Sequence, residues 1–184
     1  MKLSLLSLLL GCGLAVPQIY GLARPQAFAA TAKKFPRHFA LGVILMLLGT
    51  AWFVWNVSNE PIADFSAFKK PMMFGFAAVG ILSCIFIPDF LAVRGLAVVL
   101  LLLGKLMVDT GRPHLGESPF VAVFQGIAYL YILAGIYFTI APWRLRDLLN
   151  FTTATETRVR ISSALRLAGA LFLVILSFTA FRAM

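Results

Sequence analysis

Hydrophobic residues in this chain come in six long blocks parted by short polar stretches. The blocks cover residues 3–22, 39–57, 71–87, 90–108, 119–141 and 161–181 and hold almost no charge. A helix rising 1.5 Å per residue needs roughly 20 residues to cross about 30 Å of hydrocarbon, which is close to the length of each block. The pattern predicts an all-α polytopic membrane bundle of six transmembrane helices. Each connection is shorter than about 20 residues, too short for a soluble domain beside the bundle, so residues 1–184 are expected to form one integral membrane domain.

Composition sharpens this picture. With 61% hydrophobic and 12% charged residues, too few polar side chains remain to cover a water-facing surface. A net charge of +9 would suggest nucleic acid in a soluble protein. Here the Lys and Arg sit just outside the apolar blocks, where they set topology and meet lipid headgroups. The expected partners are therefore the bilayer with its anionic headgroups, and a second copy or a membrane-complex subunit; nucleic acid is not expected. The plasma or inner membrane is the expected location.

Lys2, the apolar block behind it and Ala27-Phe28-Ala29 look superficially like a signal peptide. The block exceeds the usual 7–15 residue apolar core, and Arg24 stands between it and the small-residue site, so the first helix is expected to be retained. Arg24, Lys33, Lys34, Arg37, Arg94, Arg144, Arg146, Arg158, Arg160 and Arg166 fall on one side of the predicted membrane. Lys2, Lys69, Lys70, Lys105, Arg112 and Arg182 fall on the other, together with Glu60, Asp64, Asp109 and Glu117. The basic side is the cytoplasmic one, which puts both termini outside.

Local signals punctuate the blocks. Pro88 and Asp89 alone part the third and fourth, making them antiparallel neighbours. Pro71 is expected to open the third helix and Pro119 the fifth, the latter behind Ser118 as N-cap. Trp52 and Trp55 suit an interfacial belt. Leu145, Leu148 and Leu149 share a helical face in a basic linker, which suggests a short helix in the headgroup plane. Residues 152–157 are polar enough to be exposed. Gly42 with Gly49, Gly75 with Gly80, Ala122 with Gly126, and Ala164 with Ala168 are expected packing notches. Cys12 and Cys84 read as small buried hydrophobes. A faint similarity links residues 19–25 to 136–142: each closes an apolar helix before a basic linker, hinting at a parallel repeat.

Charge deep in a span marks a functional site. Lys105 and Asp109 are four residues apart, on one helical face near the end of the fourth span, and can pair. Arg112, His114 and Glu117 follow in the outer loop, and Gln125 and Tyr129 face them from the fifth span. These seven residues are the candidate ligand or anion site, and the competing reading of Lys105 and Asp109 is snorkelling to the headgroups. The segment Lys105-Leu-Met-Val-Asp-Thr-Gly-Arg112-Pro113 is similar to the K-x6-R-P element of the phosphatidic-acid-phosphatase superfamily. The resemblance implies that Lys105 and Arg112 hold a phosphate. It covers nine residues and stops there, because the histidine elements that supply that family's acid and nucleophile are absent.

No catalytic constellation, metal spacing or cofactor motif is found: His38 and His114 fall on opposite predicted sides, and no phosphate loop or nucleophile elbow occurs. No cofactor and no enzymatic activity is expected. The leading expectation is a non-enzymatic accessory, assembly or self-associating membrane subunit. The alternatives are a small-solute or ion transporter component with its polar site at the outer ends of the fourth and fifth spans, and a lipid-headgroup-binding or lipid-modifying protein.

Overall fold

The computed structural model describes the backbone of residues 2–60 and 66–182, and the side chains of 2–60 and 68–182. Asp64, one of the acidic residues assigned to the outer side, lies outside the described residues. The described chain is all helix: α1 Leu3–Ala23, α2 Pro25–Lys34, α3 Phe39–Asn59, α4 Ser66–Phe86, α5 Leu91–Gly111, α6 Pro119–Ile140, α7 Trp143–Thr152 and α8 Glu156–Phe178. Six of these, all but α2 and α7, are long and apolar enough to cross a membrane.

Hydropathy misplaces four helix ends. The pattern has Pro71 opening the third span, whereas α4 begins at Ser66 and carries Pro71 inside it. Lys69 and Lys70 end an apolar block but are good helix formers, and a proline in the second turn removes only one early backbone bond. The fourth span runs past residue 108 to Gly111, so Asp109 is helical. The last span begins at Glu156 rather than at 161, because the Thr155 hydroxyl caps it by accepting from the Arg158 amide at 3.3 Å. It ends at Phe178 rather than at 181. Helices form by backbone bonding and caps, not by apolarity, so polar turns extend them beyond the hydrocarbon pattern.

The linker carrying Leu145, Leu148 and Leu149 is helical, as α7, with Leu145 buried and Leu148 exposed. The basic linker after α1 also forms a ten-residue helix, α2, which hydropathy does not reveal; Pro25 at its first position is the readable signal. The similarity between residues 19–25 and 136–142 thus coincides with a shared order of long helix, short helix and long helix. Thr153, expected to be exposed with its neighbours, is buried, its hydroxyl satisfied by the Leu149 carbonyl at 2.6 Å.

The chain packs as two compact units, Met1–Lys34 with Gly104–Leu130 and Arg146–Met184, and Phe35–Leu103 with Tyr131–Leu145. In the first unit α1 and α8 run antiparallel in close contact. Gly11 lies against Ala170 and Val174, and Gly21 against Ser163. The Ser7 hydroxyl donates to the Leu173 carbonyl at 2.7 Å. Phe124 and Phe181, both fully buried, meet edge-on at 5.8 Å.

In the second unit α3 and α5 run parallel. Gly42 abuts Leu91 and Ala92, Gly95 abuts Leu45 and Met46, and Gly49 meets Val98. α4 packs on α3 through Gly80 against Thr50 and through Phe53 against Phe76, ring centroids 4.7 Å apart. Gly135 of α6 sits against Ala97 and Leu101 of α5. Phe90, with φ 55°, takes the left-handed conformation in the short link from α4 to α5, a rare one for an aromatic residue.

Of the expected notches, Gly42, Gly49 and Gly80 fit against a neighbour. Gly75 and Gly126 meet nothing within 4 Å, and Ala122, Ala164 and Ala168 are exposed. Cys12, expected to be buried, is also exposed, while Cys84 is half-buried and its thiol donates to the Gly80 carbonyl at 3.4 Å. These corrections share one cause: in a block that is apolar all round, periodicity cannot separate a lipid-facing position from a helix-facing one.

Candidate functional site

The seven candidate residues all belong to the first unit, but they do not form one cluster. Lys105 and Asp109 form an ion pair along one turn of α5, both about half exposed. An exposed i, i+4 pair of this kind is worth only about 0.3–0.5 kcal/mol, and solvent screening lowers that further. His114 and Glu117 form a second local pair, Nδ1 to Oε2 at 3.1 Å. Both pairs join near neighbours in sequence.

Arg112, Gln125 and Tyr129 are brought together instead. With Val108, Leu115, Ala122 and Gly126 they line a groove of about 510 Å³ between the end of α5 and the start of α6. Each wall has a local cause. α5 ends at Gly111 and a 3-10 turn, Arg112–His114, carries the chain away, which puts the Arg112 side chain at the groove's rim. The loop then turns through Gly116, whose φ of 99° suits glycine. Ser118 starts α6, its hydroxyl accepting from the Phe120 amide at 3.3 Å, and so fixes the face that shows Gln125 and Tyr129.

Gln125 is the pivot of the site. It is 6% exposed, and its Nε2 donates to the Val108 carbonyl at 3.1 Å. Val108 is among the last four carbonyls of α5, which lack an intrahelical donor. The amide oxygen, Oε1, is buried with no partner among the described residues. Gly111 makes room for it, since a methyl there would lie 2.5 Å from Nε2. Gly111 and the apolar lining residues were not legible as site residues; what could have flagged Gly111 is a glycine placed one residue before Arg112.

Arg112 is exposed and has no carboxylate partner among the described residues, whose salt bridges join Lys105 to Asp109, His114 to Glu117 and Arg146 to Asp147. The groove therefore combines one free guanidinium, one buried unpartnered carbonyl, a phenol and an apolar floor formed by Val108, Leu115, Ala122 and Gly126. It can hold an anionic or polar head with an apolar body. Its described lining contains no His, Cys, Ser, Asp or Glu. Among the described residues no group of three or more His, Cys, Asp or Glu stands together. His38 caps α3, its Nδ1 accepting from the Leu41 amide at 3.2 Å. No family model, curated protein or solved structure matches the chain.

Proposed function

We propose that this chain is a non-enzymatic multi-pass membrane protein that holds the anionic head of a membrane amphiphile in the Arg112–Gln125–Tyr129 groove, as a binding subunit of the membrane it occupies. One observation carries the reading: near the end of α5 Lys105 is paired with Asp109 and the Glu117 carboxylate lies against the His114 ring, while the Arg112 guanidinium, without a carboxylate partner among the described residues, belongs to the groove. An uncompensated cation beside a low-dielectric boundary attracts phosphate or carboxylate strongly. Tyr129 and the apolar floor suit the part of the ligand that continues into the bilayer.

The test is mass spectrometry of lipids retained by the purified protein. Arg112→Ala should lose most of the retained anionic lipid, Gln125→Ala should lose less, and Lys105→Ala should keep it. Loss in Lys105→Ala equal to that in Arg112→Ala would move the site to the helical ion pair and overturn the reading.

The basic asymmetry supports a plasma or inner membrane location with both termini and the groove on the exoplasmic side. In a variant whose Cys12 and Cys84 are alanine, a cysteine introduced at Ser118 should react with an impermeant maleimide in intact cells, and one at Thr155 should not. The reverse labelling would invert the topology.

A further inference from the structure

The break between α1 and α2 creates a second charged recess, built from residues that do not line the groove. α1 ends at Ala23, and Arg24, with φ −136° and ψ 73°, turns the chain before Pro25 starts α2. Arg24, Pro25, Gln26 and Ala27 then face Glu156 and Arg160 of α8 across a recess of about 320 Å³. Residues at positions 156 and 160 of one helix are spaced for an ion pair, yet none forms. The Glu156 carboxylate accepts instead from the Gln26 side-chain amide. The one acid of the recess is thus held by a neutral group, and Arg24 and Arg160 are left without a carboxylate partner among the described residues.

Polar groups continue inward from these arginines. Ser163 is three residues beyond Arg160 and lies against Gly21, itself three residues before Arg24, so this layer is about 4.5 Å deeper along both helices. The Ser163 hydroxyl is fully buried and has no hydrogen-bond partner among the described residues. A turn further along α1, Gln18 is 7% exposed and its Oε1 also lacks a partner among the described residues. Buried polar groups without partners are costly, which makes this end of the α1–α8 pair receptive to a polar group entering from the recess. On α8, one and five residues past Arg160, Ile161 and Leu165 are exposed apolar side chains one turn apart.

We propose that this recess is a phospholipid site in which Arg24 and Arg160 grip the phosphate of an anionic lipid, while its acyl chains run along the exposed apolar face of α8 at Ile161 and Leu165. Two guanidiniums free of carboxylates match the oxygens of a phosphate. The position at the ends of two helices apolar enough to span a membrane, with an apolar surface leading away, selects a lipid over a free anion. The site is separate from the Arg112 groove, so either reading can fail without the other.

The test uses the full-length protein in nanodiscs of phosphatidylcholine containing phosphatidylglycerol, with bound lipid counted by native mass spectrometry. Arg24→Ala and Arg160→Ala should each weaken phosphatidylglycerol binding by about tenfold, the scale of one charge-assisted contact. Lys34→Ala, which removes a cation of α2 outside the recess, should change it less than twofold. Glu156→Gln keeps both arginines and removes the local negative charge, so it should tighten binding, and it remains informative if an arginine variant fails to fold. Equal losses in Lys34→Ala and Arg24→Ala would reduce the effect to general surface charge and overturn the site. Displacement of the lipid by inorganic phosphate at comparable concentration would overturn its assignment to lipid, and weaker binding in Glu156→Gln would overturn the charge argument.

Discussion

Two helix pairs seamed by glycine solve the same problem with different chemistry. α3 and α5 approach through glycines on both partners, and every near atom there is apolar side chain or helix backbone. α1 and α8 also approach through glycines, Gly11 and Gly21, but place Ser7, Gln18 and Ser163 in or beside the seam. One of these, Ser7, is satisfied by the Leu173 carbonyl; Gln18 and Ser163 each leave an oxygen without a partner among the described residues. In hydrocarbon no hydrophobic force draws helices together, so close backbone packing supplies the attraction in both pairs. A seam that also buries unsatisfied oxygens is not optimised for packing alone. It is the α1–α8 pair whose end carries the unpaired arginines.

The strongest way to break this comparison is to crowd the dry seam. A methyl on Gly42 would lie 2.7 Å from the Ala92 backbone nitrogen, and one on Gly95 would lie 2.7 Å from that of Met46. Backbone cannot step aside cheaply, so Gly42→Leu and Gly95→Leu should each destabilise the detergent-solubilised protein by about 3 kcal/mol or more, read as a lower melting temperature. Gly75→Ala and Gly126→Ala meet open space and should be neutral or raise stability by up to about 1 kcal/mol through helix propensity. Equal damage from all four would mean that Gly75 and Gly126 are covered in the assembled protein.

A smaller effect sharpens the contrast within the polar seam. Ser7→Ala removes a satisfied buried hydrogen bond and leaves the Leu173 carbonyl only its helical partner, so it should cost about 1 kcal/mol. Ser163→Ala removes a hydroxyl that has no partner among the described residues and should be neutral or slightly stabilising in the thermal melt. A loss at Ser163 as large as that at Ser7 would show that Ser163 is satisfied by a molecule bound at the seam, which would favour an occupied recess.

The hydrophobic pattern alone determined that six helices of membrane-spanning length exist, because block length and charge avoidance are properties of the chain against a fixed hydrocarbon thickness. It also located Lys105 and Asp109 as a pair, since four residues of helix fix that geometry. It did not determine which side of any helix faces a neighbour: Gly75 and Cys12 are as apolar in sequence as Gly42. Nor did it show that His114 is matched by Glu117 while Arg112 is left to meet Gln125 and Tyr129 across the loop, or that Gln26 takes the carboxylate that would otherwise have neutralised Arg160. Those outcomes depend on contacts between residues up to 130 positions apart. Only the packed helices decide which charges are cancelled and which remain free.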